Sequence, residues 1–536
     1  MRKHASLLLL TPPLVQTNCP YPATMHLTGY LRARGFSVEQ RDLSVKVALD
    51  VLRTYGDETT DELLELLQNP SVPPEAKREA GAVIDELAIW IRDNVDPEFG
   101  FSRYAERLCA GAPDFGTVER LVRRRGVIDA PLERHLAAAV AETRPTVIGV
   151  TCPFPGTLIG AFKIARWVRR HHPEIRLVLG GGFVNTELRE MTDPRPRRYF
   201  DDIVFDEGYA PMAAIMSGTK APLASADVPP FVRPDYDGID MGEYFDVVET
   251  DNPMHRLWSS GRWLRLVMAR GCYWHKCAFC DVRLPYIGCF EQPDPKTVVD
   301  AMEALSTSQL SQPSQPSSFH FVDEAMPPAL VRGVCREIIR RKFKCEWWGN
   351  IRFDRSFTPE LAKLMARAGC IAVTGGLECA DDRLLKLMNK GITLESARAA
   401  MAAFRDAGIM VHAYLMYGFP TETEKEAFGA LGFVRDLFRE DLVQSAFWHR
   451  FALTVHSPVA ADPERFGIKV CDGRPQGRGR YGKCVFRRNE LAYEEPGAPD
   501  WATIGQALNL ALYNYLDGRG LGKSVYYWRN VIRKRK

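Results

Sequence analysis

A chain of 536 residues, 46% of them apolar, has room for about three or four domains and a sizeable core. Its 70 basic and 67 acidic residues leave a net charge of +3, which argues against a protein built to neutralise nucleic-acid phosphates. Thirteen cysteines, odd in number and irregularly spaced, do not read as a disulfide framework.

Met1-Arg2-Lys3-His4 is basic and Leu7–Leu10 apolar, but Pro12 and Pro13 interrupt the run and no small-residue cleavage site follows. A buried first strand fits better than a signal peptide, and no stretch reaches membrane-spanning length. The expectation is a cytoplasmic protein with no membrane partner.

Ser6–Leu10 reads as a strand, Thr24–Arg34 as a helix and Ser37–Gln40 as a second strand. Residues 45–143 turn helical and charged. Thr146–Thr151 is a β-rich run, Leu158–Arg170 an amphipathic helix, and Arg176–Leu179 and Ile203–Phe205 are further strands. Strands alternating with helices predict a parallel sheet covered on both faces, with 45–143 inserted into it. This first domain spans residues 1–218. Residues 219–250, rich in proline around Pro222, Pro229, Pro230 and Pro234, read as an extended linker.

Six strands follow: Leu264–Ala269, Ser318–Val322, Glu346–Ile351, Ala372–Gly375, Met410–Tyr417 and Gln444–Leu453. Helices such as Pro359–Arg367 and Leu394–Ala407 separate them, which predicts a partial (β/α)6, TIM-like barrel over 251–460. Ser306–Ser318 is low in complexity and reads as a surface loop. Residues 461–536 form a mainly helical C-terminal region, aromatic-rich, and its basic tail, Arg529–Lys536, reads as a solvated end. The fold class is α/β.

The chemistry concentrates in Gly271-Cys272-Tyr273-Trp274-His275-Lys276-Cys277-Ala278-Phe279-Cys280. Three thiolates on one short loop after a strand can converge on a metal centre. Structural zinc wants four ligands, usually as two pairs. No second close pair appears, although Cys289 or His275 could supply a fourth ligand. A cubane held by three cysteines leaves one iron open for a substrate. Spacing leaves both readings standing.

The segment resembles the cluster loop of the radical S-adenosylmethionine superfamily, with four residues rather than the commoner three between the first two cysteines. The resemblance implies a [4Fe-4S] cluster on Cys272, Cys277 and Cys280, with Phe279 near the adenine of S-adenosylmethionine. Phe321-Val322-Asp323-Glu324, Gly375-Gly376-Leu377-Glu378 and Tyr417-Gly418-Phe419-Pro420 resemble the signatures at later strand ends. They imply that Asp323 or Glu324 holds the cofactor's amino group and that Glu378, Gly418 and Pro420 line its site. Tyr273 and Trp274 are candidates for shielding the cluster.

Leu10-Thr11-Pro12-Pro13, Thr151-Cys152-Pro153-Phe154, Gly180-Gly181-Gly182-Phe183 and Phe205-Asp206-Glu207-Gly208 resemble turns of the Rossmann-like cobalamin-binding domain that precedes many such barrels. The resemblance implies that Pro13, Thr151, Cys152, Gly180, Gly181, Gly182, Glu207 and Gly208 face cobalamin, the small residues letting a flat macrocycle approach the backbone. The family's Asp-x-His-x-x-Gly signature, whose histidine ligates cobalt, is absent. Cys19 and Cys152 read as buried spectators. The implied activity is cobalamin-dependent radical chemistry, with methylation of an unactivated carbon of a small molecule or peptide. Flavodoxin or ferredoxin would supply electrons. Rearrangement, cyclisation or oxidation on the same scaffold is the alternative, followed by tRNA methylthiolation.

Overall fold

The computed structural model describes residues 6–111, 114–219, 228–247, 252–259, 263–307, 317–471 and 483–535. Most of the low-complexity stretch Ser306–Ser318, the first part of the proline-rich connector and Lys536 lie outside them. The chain divides into two compact units: Met1–Thr250 with Arg256–Arg262 and Arg474–Asn489, and Asp251–His255 with Trp263–Gly473 and Glu490–Lys536.

The first unit is built on five strands: β1 (Ser6–Thr11), β2 (Ser37–Asp42), β3 (Val147–Thr151), β4 (Arg176–Gly180) and β5 (Asp202–Ile203). They are all parallel, in the order β2-β1-β3-β4-β5. Leu7 to Leu10 and Val147 to Val150 are buried on both faces, so both strands read as continuous apolar runs rather than alternating ones. The order reverses between β1 and β3, and in such sheets ligands bind at the carboxyl ends of the strands beside that reversal. The stretch 45–143 inserts several helices, from Leu43–Tyr55 to Asp129–Thr143. One core cluster joins Val47, Ile91, Phe115 and Leu136 of this stretch to Leu8, Ile148 and Phe162 of the sheet and its helix.

Two domain expectations change. The described part of the connector, residues 228–247, is extended but not loose. Tyr236, Tyr244 and Phe245 are buried. Tyr244 donates to Asp42 at 2.7 Å, and Lys77 and Asp246 form a buried ion pair at 2.6 Å. The C-terminal region is not one piece either. Phe486 sits in the first unit's core against Phe115, and the backbone oxygen of Val485 accepts from the N–H groups of Thr192 and Asp193. Buried aromatics and long-range backbone pairing decide both outcomes, and neither leaves a local sequence period.

The second unit carries β6 (Leu264–Leu266), β7 (Ser317–Phe321), β8 (Cys345–Ile351), β9 (Cys370–Glu378), β10 (Met410–Tyr417) and β11 (Ser445–Arg450). All six are parallel and neighbour one another in chain order in one sheet. Phe319, Phe321, Trp347, Val373, Val411 and Leu415 are buried on the helix-covered face. Arg265, His320, Trp348, Thr374, His412 and Tyr414 fall on the other, inner face by strand alternation. The basic tail is a helix, Val525–Arg535, and Arg529 pairs with Glu424 at 2.6 Å rather than ending in solvent. Among the described residues no helix is long and apolar enough to cross a membrane.

Candidate functional site

The cysteine loop leaves the carboxyl end of β6, the end at which ligand-binding loops of parallel α/β sheets collect. Gly271 (φ +68°) and His275 (φ +35°) supply left-handed turns that fold the loop back on itself. Cys277 is buried, and Cys272 and Cys280 are partly buried. The segment after β9 anchors the loop: the Ala278 N–H donates to Met388 at 2.7 Å, and the Trp274 indole donates to the Asn389 oxygen at 2.8 Å. Asn389 returns a bond to the Lys276 oxygen at 3.0 Å. Gly391 (φ +74°) abuts the Trp274 ring so closely that any Cβ would collide with it.

Two cations that motif reading did not single out complete the loop. Arg352, just past β8 and only 4% exposed, directs a guanidinium nitrogen to Cys277 Sγ at 3.8 Å and stacks on Trp274 at 4.6 Å. Lys390 is buried, pairs with Glu378 at 2.7 Å and lies 5.6 Å from the Phe279 ring centre. Burial holds the Cys277 thiol above its ordinary pKa, while Lys390 and Arg352 pull it down. Burial also raises Cys280. The available signal was an arginine one residue beyond a predicted strand end. A thiolate-bound cluster carries negative charge, so buried cations beside a cysteine fit its donor set. His275 and Cys289 are otherwise engaged: His275 Nδ1 meets the Cys272 oxygen at 2.8 Å, and Cys289 Sγ lies 3.6 Å from the Tyr286 oxygen. Tyr273 donates to Asp354 at 2.7 Å. Tyr273 and Trp274 therefore both anchor the loop. Among the described residues no three potential ligands converge closely enough to chelate a single ion. A cubane spreads its three thiolates over three separate irons.

The two acids after β7 divide their tasks. Asp323 is 2% exposed, and its two oxygens accept from the N–H groups of Met268 and Ala269, each at 2.8 Å. Burial raises its carboxyl to about 7, against the pull of those two bonds. It clamps the chain leaving β6. Glu324 is exposed yet flanked by enough protein that desolvation raises its carboxyl. At the end of β10, Gly418 (φ +77°) and Phe419 donate to Glu422 at 2.6 and 3.2 Å. Burial pushes Glu422 up to about 8. The Cβ position of Gly418 lies 3.4 Å from Trp501, and Pro420 is buried beside it. Gly418 and Pro420 thus shape the turn from within.

In the first unit, Pro13, Thr151, Cys152 and Gly180–Gly182 lie at the carboxyl ends of β1, β3 and β4, with Glu207 and Gly208 following β5. Three buried polar atoms at or just beyond these strand ends have no partner among the described residues: Gln16 Nε2, Thr151 Oγ1 and, in the short helix Gly182–Glu187, Asn185 Oδ1. Exposed Phe154 packs edge-on against Tyr21 at 5.6 Å. Unspent hydrogen-bonding groups and an open aromatic at the sheet's ligand edge fit a large polar cofactor. Two residues serve the protein instead. Gly181 (φ +112°) stands so near the Cys152 backbone that no side chain fits. The Pro13 carbonyl lies where a Cβ on Gly160 would be. Cys152 is wholly buried and its thiol is pushed up to about 12, which keeps it protonated. Cys19 is buried as well. His171 and His172 end the helix Pro155–His171, His171 stacking on Trp167 at 4.6 Å and His172 tilted against it at 5.5 Å, and both precede the amino end of β4. His26 is buried and held near pKa 4 by desolvation.

The sequence profile of the radical SAM superfamily matches residues 334–434. The chain is 24% identical over 322 residues to the anaerobic magnesium-protoporphyrin IX monomethyl ester cyclase of Rubrivivax gelatinosus, a match covering 54% of each protein and so about half of that relative's length. Two solved structures share its fold. The radical S-adenosylmethionine methyltransferase TsrM of Kitasatospora setae, with cobalamin and a [4Fe-4S] cluster bound, superposes with a TM-score of 0.58 at 18% identity, covering 96% of this chain and 89% of TsrM. The cobalamin-dependent S-adenosylmethionine radical enzyme OxsB, with aqua-cobalamin bound, gives 0.55 at 12% identity over 96% of this chain and 67% of OxsB. The chain carries a radical S-adenosylmethionine domain and shares its fold with cobalamin-dependent radical enzymes.

Proposed function

We propose that this chain is a cobalamin-dependent radical S-adenosylmethionine enzyme that methylates an unactivated carbon. The carrying observation is the anchored loop presenting Cys272, Cys277 and Cys280 at the strand ends, with the Arg352 guanidinium 3.8 Å from Cys277. These thiolates would hold a [4Fe-4S] cluster, Glu324 the amino group of S-adenosylmethionine, and the loops around Gln16, Thr151 and Asn185 a cobalamin. Together the bound groups supply a 5′-deoxyadenosyl radical, through one-electron reductive C–S cleavage, and a transferable methyl group.

The protein's own part is positioning. Arg352 and Lys390 balance the charge of the thiolates and of Glu378. The Met268 and Ala269 amides, gripped by Asp323, fix the approach to the loop. Glu324 offers a carboxylate to an ammonium, a charge-assisted bond worth more than a neutral one. The electron comes from a reduced flavodoxin or ferredoxin.

The test is anaerobic turnover with a reductant and candidate substrates. Methylation yields S-adenosylhomocysteine beside 5′-deoxyadenosine. Deoxyadenosine alone favours the second reading, cyclisation, rearrangement or oxidation, which the similarity to a cyclase supports. No deoxyadenosine under any reducing condition overturns both. Cobalamin should bind with its own base displaced and no protein imidazole in its place, so the paramagnetic resonance of its cob(II) form should lack nitrogen splitting. Splitting that vanishes on replacing His26 would refute that.

A further inference from the structure

The inner face of β10 and β11 has no task so far. Tyr414 lies on β10, flanked on both sides by paired strands, yet is 38% exposed, and Phe447 beside it is 45% exposed. A large side chain this open on a strand paired on both sides is within reach of a ligand. Its neighbours extend the surface. Tyr414 pairs in register with Phe447, and Met416 with the exposed His449. The Phe447 and His449 rings lie 4.5 Å apart, and Tyr414 and His412 meet edge to face at 4.7 Å. Farther across the sheet His320 stacks on Trp348 at 3.5 Å.

Behind the aromatics runs a polar row. His412 Nδ1 meets Ser445 Oγ at 3.0 Å, Ser445 Oγ meets His255 Nε2 at 3.3 Å, and Thr374 donates to Asn350. Desolvation lowers His412 to about 3 and also lowers His449. These imidazoles are therefore uncharged at neutral pH and present ring faces rather than cations. The inner positions of β9–β11 are Thr374, Gly376, His412, Tyr414, Met416, Ser445, Phe447 and His449, with no fixed charge among them. The nearby acid, Glu378, is neutralised by Lys390.

We infer that this face is the substrate-holding surface and that it takes a planar, uncharged aromatic group, stacked against Tyr414, Phe447 and His449. Aromatic rings favour offset or edge contacts with other rings, and a wall without charges strips water from an ion with nothing in return. The role in catalysis rests on the proposed function; the binding chemistry does not. A second planar uncharged ring, the adenine of S-adenosylmethionine, would suit the same wall, so the test separates the two.

The test is saturation-transfer NMR on the full chain with three probes of similar size: benzamide, cyclohexanecarboxamide and benzoate. Benzamide should bind, and the saturated amide and the anion should bind far more weakly. Tyr414→Ala and Phe447→Ala should each weaken benzamide roughly two- to tenfold. Both side chains are partly exposed, so the variants should melt with the parent; Phe447→Leu, which keeps an apolar side chain but loses the ring, serves if either does not. Saturating S-adenosylmethionine should leave benzamide bound. Equal binding of the saturated amide or of benzoate, indifference to all three variants, or displacement by S-adenosylmethionine would each overturn the inference. Loss of deoxyadenosine formation with intact discrimination among the probes would instead refute the proposed function and leave the surface standing.

Discussion

Replacing Asp323 and Glu324 separately should split stability from cofactor binding. Asp323→Ala strips the acceptors from the buried N–H groups of Met268 and Ala269. Each buried donor left unpaired costs roughly 1–3 kcal/mol, so the pair should cost about 2–6 kcal/mol. Glu324→Gln touches no bond among the described residues, and an exposed substitution of this kind should stay within about 0.5 kcal/mol. It should, however, remove a charge-assisted bond worth about 1.5–3 kcal/mol, weakening S-adenosylmethionine roughly ten- to hundredfold. Denaturant midpoints followed through Trp347 and Trp348 measure the first effect, and calorimetric titration of the reconstituted protein measures the second. An unchanged midpoint in Asp323→Ala together with lost cofactor affinity would reverse the assignment and make Asp323 the ammonium's partner.

Cys272→Ala, Cys277→Ala and Cys280→Ala should each abolish a four-iron cluster after anaerobic reconstitution, whereas Cys289→Ala should keep it; iron and sulfide analysis reads this directly. Asp323 and Glu422 hold protons more tightly folded than unfolded, with pKa values raised to about 7 and about 8. The folded state then binds more protons, so the stability they contribute is complete below about pH 4 and is lost as pH rises through those values. Glu422→Gln should flatten the loss between about pH 4.5 and 8 in denaturant titrations, and an unchanged slope would contradict the burial argument. Phe486→Ala should destabilise the first unit by roughly 3–5 kcal/mol, since the ring is wholly buried. A melting midpoint equal to the parent's would show that residues 483–489 add nothing to that core.

Local patterns carried much of this protein. Both parallel sheets were legible because the first has strands that are continuous apolar runs, the second has strands that set buried apolar residues against polar and aromatic ones, and the helices between them repeat every three to four residues. Met410–Tyr417 and Pro359–Arg367 appear with the predicted bounds. The three cysteines share one loop after β6, a placement readable from their spacing because that spacing is itself local. What pairs across long separations was not. Asp323 and Glu324 are adjacent acids in the sequence, and only the amides of Met268 and Ala269 decide that the first is a clamp and the second is open. Gly181 read as room for a macrocycle, yet the Cys152 backbone fills that room. Arg352 stands 75 residues beyond Cys277 and meets it only because successive parallel strands bring their carboxyl ends together. A side chain's chemistry is written in its own residue, but its partner is chosen by the chain's path, and burial then sets whether its charge, proton or surface is free to act.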